Sequence, residues 1–228
     1  MKIKSTSAAL ALTLGLAASA NAAIVTINSI SYTGTAPELG GNNLDDENQL
    51  INGSGLSAVL TDANLSTVTH GNVVFSSPGN AWVTTDPGGA SSDFFASSPG
   101  SVVFDIVFDA TYTVDNLASW GYHFGALNGN DMSVITLDYG VGNFTDGSIA
   151  NQTIAQGASA GASVITALGG ITADRVRITV TDNYSGTSAG GDRVGLAEIA
   201  FQGTVVPEPS STALLGLGGL ALILRRRK

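Results

Sequence analysis

The chain has 228 residues, 43% of them apolar, no cysteine and a formal net charge of −9. That length supports one sizeable core, and the lack of cysteine excludes disulfides, thiolate nucleophiles and zinc-thiolate sites. Between Ala23 and Gly203, seventeen acidic residues face only Arg175, Arg177 and Arg193, so this stretch carries 3 minus 17, or −14. Such a field repels phosphate backbones and argues against nucleic acid as a partner, while acidic loops suit hard cations such as calcium.

The chain opens MKIKSTSAALALTLGLAASANAA. Lys2 and Lys4 precede an apolar run from Ala8 to Ala18 and the small-residue pattern Ala20-Asn21-Ala22. This is the layout of a secretory signal peptide over residues 1–22, read by the Sec export machinery and cut after Ala22. One exported domain, residues 23–203, is expected to follow.

From Ala23 onward, apolar residues alternate with period 2 between clusters of Gly, Asn, Asp and Ser, the pattern of strands and turns. The candidates in order are AIVTINSISYTG, NVVFSS, NAWVTT, VVFDIVFDATY, LASWGYHFG, MSVITLDYG, DRVRITVTDN and VGLAEIAFQG. Val102, Phe104, Ile106 and Phe108 share one face of the fourth, and Val176, Ile178 and Val180 share one face of the seventh, opposite Arg175 and Arg177. The stretch GSIANQTIAQGASAGASVITALGG, residues 147–170, is open to a loop, a weak strand pair or a short helix. About eight strands with one apolar face each must bury those faces against a second sheet, which predicts a β-sandwich.

No catalytic constellation stands out. Two stretches, Gly157 to Gly161 and Gly186 to Gly190, match G-x-S-x-G, but neither lies between a buried strand and a helix, as a nucleophile elbow requires. No zinc-protease, P-loop or dinucleotide fingerprint is present. His70 and His123 are the only histidines, leaving few members for a His-based site. The five Asn-x-Ser/Thr sequons, at Asn52, Asn64, Asn143, Asn151 and Asn183, are what an Asn-, Ser- and Thr-rich chain produces by chance. The expectation is a protein that is not an enzyme.

In order and spacing, ENQLINGSGLS (47–57), AWVTT, FDIVFDATYTVDNLASWGYHF (104–124), ITLDYG, DRVRITVTDNYSG (174–186) and VGLAEIAFQG (194–203) resemble the discoidin, or coagulation-factor type C, domains of the galactose-binding-like jelly-roll families. The resemblance covers most of the exported region and implies an all-β jelly-roll β-sandwich. It also implies one structural calcium ion, carried onto Asn52, Ser54, Ser57, Ala197 and Glu198. Asn52 stands where the family has Asp, which removes a negative charge and weakens the seat; by the residues alone, Asn52-Gly53 is a tight turn and Glu198 a solvent-facing strand residue. Such domains bind sugars or lipid headgroups through loops at one end, which implies Tyr184, Asn183, Trp82, His123 and Asn128 as contacts. By the residues alone, Trp82 and Trp120 read as core rather than platform, because strand tryptophans supply buried area, and His123 as a hydrogen-bonded structural residue rather than a ligand.

The chain ends VPEPSSTALLGLGGLALILRRRK. Ser210 to Leu224 carry no charge and are followed by Arg225, Arg226, Arg227 and Lys228. Fifteen helical residues span about 22 Å, short for a hydrocarbon core of about 30 Å. The prolines break any helix continuing from the domain. The motif Val206-Pro207-Glu208-Pro209, a short transmembrane helix over 210–224 and a basic tail over 225–228 resemble the PEP-CTERM sorting signal of Gram-negative bacteria. That implies an exosortase-type protease as partner, transient anchoring in the inner membrane with the cations on the cytoplasmic side, and delivery to the cell surface, outer envelope or extracellular matrix.

The leading reading is therefore an exported, non-enzymatic jelly-roll module that binds glycan, with extracellular polysaccharide as its partner. A self-associating matrix or surface-layer component stands second, and a glycoside hydrolase or lyase third.

Overall fold

The computed structural model describes residues 22–41, 44–75, 79–89, 92–97, 99–186 and 189–207. Among them are eight strands: β1 (Ala23–Ile24), β2 (Ile27–Tyr32), β3 (Trp82–Val83), β4 (Val102–Gly121), β5 (Met132–Gly140), β6 (Gly147–Thr153), β7 (Ser163–Asn183) and β8 (Gly195–Val205), with two short 3₁₀ turns at Glu47–Leu50 and Phe95–Ser97. Every strand pairing is antiparallel, in the order β1-β8-β4-β7-β5-β6, with β2 beside β4 and β3 beside β8.

β4 and β7, of 20 and 21 residues, belong to both layers. The first half of β4 pairs with β2 and with Arg175 to Val180 of β7, and its second half pairs with β8 and with Ser163 to Ala173 of β7. The register breaks between Val107 and Tyr112, where the sheet turns over on itself into a jelly-roll β-sandwich. Apolar alternation in β4 explains the closure. Val102, Phe104, Ile106 and Phe108 all point inward and are buried, and they meet residues of the opposite layer. Ring centroids of Phe108 and Phe201 lie 5.2 Å apart, and those of Trp82 and Phe104 4.7 Å apart. Each such side chain contributes about 1.5–3 kcal/mol on burial, so the inter-layer core holds the fold without disulfides.

A second apolar cluster lies outside the sandwich. The long connection between β2 and β3 lays Leu44, Leu65, Val68 and Val73 over Trp120, Tyr122, Ala197 and Ala200. The Trp120 indole N–H is satisfied by the Val68 carbonyl at 2.9 Å. This cover buries both faces of β8 from Gly195 to Phe201. It also sets the position of Glu198.

Several expectations are corrected. LASWGYHFG is not a separate strand: its first part continues β4 to Gly121. The described part of NVVFSS, residues 72–75, is a loop in which Val73 donates to the His123 carbonyl and Val74 to Asn80 Oδ1. Side-chain capture of that N–H replaces a ladder bond. The ambiguous 147–170 stretch forms β6 and the start of β7, with Gly169 and Gly170 both at φ +75 where the strand kinks opposite a register shift in β4. β8 runs on to Val205, and the Val206 N–H still bonds the Thr111 carbonyl at 2.9 Å, so the folded region passes Gly203. The expected signal helix, and Glu208, Pro209, the 210–224 helix and Arg225 to Arg227, lie outside the described residues. Among the described residues no helix is long and apolar enough to cross a membrane.

Candidate functional site

Five side chains were implied as ligand contacts, and four of them gather at one end of the sandwich. Asn183, at the end of β7, is buried and fully occupied. Its Nδ2 donates to the carbonyls of Gly191 and Arg193 at 2.9 and 2.8 Å, and its Oδ1 accepts the Ser185 N–H. It ties the 184–193 loop shut. Tyr184 donates its hydroxyl to the Ile154 carbonyl at 2.6 Å, and burial pushes its pKa up. Asn128 Oδ1 accepts the Asn130 N–H at 2.9 Å, and its carbonyl accepts from Gln156 Nε2. His123 is buried; its Nε2 sits 3.2 Å from the His70 carbonyl and its Nδ1 accepts from Gly125. Burial lowers the His123 pKa, favouring the neutral ring. The fifth, Trp82, belongs to the core: it is 0% exposed, and its indole N–H donates to Glu38 Oε1 at 2.6 Å. Full burial there removes it from any surface.

Asp131 stands at the centre of this end. Its carbonyl accepts from Tyr184 and its N–H donates to Asn128. The carboxyl is 7% exposed, has an unpartnered Oδ1, and presses on Gly121, where a Cβ would lie 2.5 Å from Oδ2. Desolvation pushes its pKa up to about 7, against hydrogen bonds from the Tyr122 backbone and the Gln156 side chain. The flanking cavities hold about 10 and 20 Å³, room for one water apiece.

Beside these tied residues lies a feature the sequence reading missed. Phe75 and Phe124 are 49% and 44% exposed, with ring centroids 5.1 Å apart and planes within 11°. Tyr122 braces Phe124 edge-on at 5.1 Å. The Asn72 amide lies over Gly125, the residue after Phe124. Leaving two phenyl groups about half in water forgoes roughly half of the 1.5–3 kcal/mol that full burial of each would give, and exposed aromatic pairs of this kind mark interaction sites. The sequence signal was an aromatic followed by small turn-forming residues, Phe75 before Ser76 in NVVFSS and Phe124 before Gly125 in YHFG. Alternation in a strand would place Phe75 on one face with Val73, which is buried, so the pattern alone gives no sign that Phe75 is exposed.

Of the calcium candidates, Asn52 and Glu198 line one groove beside the 51–60 loop. The N–H of Gly53 donates to Glu198 Oε1 at 3.1 Å across 145 residues of sequence. Glu198 is not solvent-facing: it is 1% exposed, its Oε2 has no partner, and burial raises its pKa to about 8. Asn52 Oδ1 accepts the Ser54 N–H at 2.7 Å, in a turn completed by Gly53 at φ +73. The Ser54 carbonyl lies 2.8 Å from His70 Nε2, Ser57 Oγ accepts from Thr69, and Ala197 is fully buried. Among the described residues no three His, Asp or Glu side chains cluster as a metal site. The donors are all oxygens with one carboxylate among them, and the orphaned Glu198 Oε2 is the atom a hard cation would satisfy.

The fold is similar to that of several solved structures, among them carbohydrate-binding modules. One is the family 32 module of Clostridium perfringens NanJ, solved with galactose: TM-score 0.44, 12% identity, covering 80% of this chain and 99% of that one. Another contains two CBM32 modules and the M60 catalytic domain of C. perfringens ZmpB, at TM-score 0.46 and 13% identity; it is matched by 79% of this chain over 15% of its own length. The C-terminal domain of a Bacteroides fragilis chitobiase follows, at TM-score 0.43 and 14% identity, with 81% and 99% covered. Among curated proteins none matches the chain by sequence.

Residues 205–228 match the family described as the PEP-CTERM protein-sorting motif. The chain thus carries the sorting signal of an exported protein destined for the cell surface, and exosortase processing goes with that signal.

Proposed function

We propose that the protein is a non-catalytic glycan-binding module displayed on a Gram-negative cell surface or shed into its extracellular polysaccharide. The exposed, stacked Phe75–Phe124 pair carries the reading. An aromatic face of that kind packs against the C–H surface of a pyranose by dispersion, and the Asn72 amide beside it supplies a directional hydrogen bond. Asn183, Tyr184, His123 and Asn128 act behind the platform, holding the loops that frame it. Pre-organised loops reduce the ordering cost of binding.

A calcium ion is proposed at Glu198, with Asn52, Ser54, Ser57 and the Ala197 carbonyl as further donors. When bound, it would supply positive charge that keeps Glu198 ionised and pins the 51–57 loop to β8. In the proposed route, Sec exports the chain, the tail holds it briefly in the inner membrane, and an exosortase cuts near Pro207 to Pro209.

The test is a glycan array with the full chain, with and without calcium. Retention of one or more glycans is expected, and Phe75→Ala and Phe124→Ala should each abolish it while leaving the thermal midpoint nearly unchanged. No retained glycan in either condition overturns the reading.

A further inference from the structure

An opening lies away from the aromatic end. A groove of about 650 Å³ runs between the 24–27 segment and the 51–60 loop, floored by Glu198, Ile199 and Ala200 of β8. It exists because the outer edge of β8 is only partly covered. β3 pairs at Gly195 and Leu196, and β1 at Gln202 and Gly203, with one further bond from Val25 to the Phe201 carbonyl. Between them, Ala197 to Ala200 have no strand on that side. An uncovered strand edge with apolar walls is a docking liability that proteins usually blunt with charge. Here charge is sparse: residues 22–37 and 51–60 contain no Asp, Glu, Lys or Arg, Glu198 in the floor is buried, and the Asp62 carboxylate at the edge is bonded by Gln202, the partner of Ile24.

On the rim of the groove stands Val59, 87% exposed, the most exposed large apolar side chain among the described residues. Knob and hole thus occupy one patch, the requirement for an isologous contact in which the same surface serves both partners. Electrostatics select the occupant. Copies carrying −14 over residues 23–203 repel each other through most faces, and this charge-poor face is where two can meet. A basic partner would instead be drawn to the acidic surface elsewhere.

We propose that this face joins two copies of the chain about a two-fold axis, with Val59 of each seated in the groove of the other. The proposal does not rest on glycan binding, since the groove and the Phe75–Phe124 platform share no residue; Glu198 and Asn52, the proposed calcium donors, do line the groove, so the dimer is measured with calcium chelated.

Sedimentation of the full chain in mild detergent should show a concentration-dependent dimer. Val59→Asp, at a position too exposed to affect folding, should weaken the dimer at least tenfold, whereas Val141→Asp on a distant exposed site should not. Because the chain has no cysteine, Val59→Cys and Thr26→Cys chains can be mixed and joined with a short bis-maleimide; they should couple far better than Val59→Cys with Val141→Cys. A monomer at all concentrations, an unchanged dimer in Val59→Asp, or equal coupling at Val141 would each overturn the proposal.

Discussion

Glu198 and Asp131 present the same chemical symptom in different surroundings. Both are buried carboxyls with one unpartnered oxygen and a pKa raised by desolvation. Glu198 lines an opening of about 650 Å³, while Asp131 faces cavities of about 10 and 20 Å³. An unpaired buried carboxylate is costly, and the adjoining space decides how the cost is relieved. A large opening admits a cation or a ligand. A small one admits a proton or a water molecule, so Asp131 reads as a structural hub and Glu198 as the proposed cation seat.

The largest expected effect is on stability against pH. Unfolded, both groups ionise near their ordinary values of 3.8 and 4.5; folded, they keep their protons to about 7 and about 8. The native state therefore binds more protons across that window. Stability is full below about pH 4, falls as pH rises through 7 and 8, and levels off above. Each group should account for on the order of 4 kcal/mol. Urea denaturation from pH 4 to 9 measures the slope, and Asp131→Asn and Glu198→Gln should each remove their own part. A flat profile in the wild type would break the pairing of these two groups.

Calcium should separate them. At pH 8, calcium at a hundredfold excess over its dissociation constant should stabilise the wild type by about 2.7 kcal/mol. Asp131→Asn should respond equally and Glu198→Gln not at all. A response that survives Glu198→Gln would place the cation elsewhere.

Packing distinguishes the two surroundings by smaller amounts. A Cβ at Gly121 would meet Asp131 Oδ2 at 2.5 Å, so Gly121→Ala should cost about 1–3 kcal/mol through overpacking. At Gly53 the nearest contact to a Cβ is Leu56 Cδ1 at 4.0 Å, and only the φ of +73 resists a side chain. Gly53→Ala should therefore cost about 1 kcal/mol. Thermal denaturation of the pair ranks them.

What the sequence revealed depends on how local the cause was. MSVITLDYG matches β5 residue for residue, because one face is buried and the other partly open, so alternation survives. VGLAEIAFQG was legible as a strand, yet the place of Glu198 was not. The 39–65 connection covers the outer face of β8, and a strand buried on both faces loses its period of 2. Residues 147–170 were ambiguous because their small side chains carry no periodic signal; pairing with β4, distant in sequence, makes residues 163–167 strand. At the site, the joining of Asn52-Gly53 to Glu198 was legible through resemblance. The Phe75–Phe124 pair was not, since two residues 49 apart meet only once the second cluster has formed.

The smallest effect is expected at Ser163, paired with Trp120 across β4 and β7 and next in sequence to Val164, which lines one of the Asp131 cavities. Its Oγ is buried with no protein partner. If the adjoining cavity of about 20 Å³ holds a water serving Asp131 alone, removing the hydroxyl relieves an unsatisfied group, and Ser163→Ala should change stability by less than about 0.5 kcal/mol or raise it. A loss above about 1 kcal/mol would mean that the water bridges Ser163 and Asp131, since breaking a satisfied buried bond costs that much. Repeating the measurement in Asp131→Asn separates the cases. Independent sites add and a shared water does not, so a coupling near zero keeps Asp131 as a self-contained hub, while a coupling near the full loss extends the hub to β7.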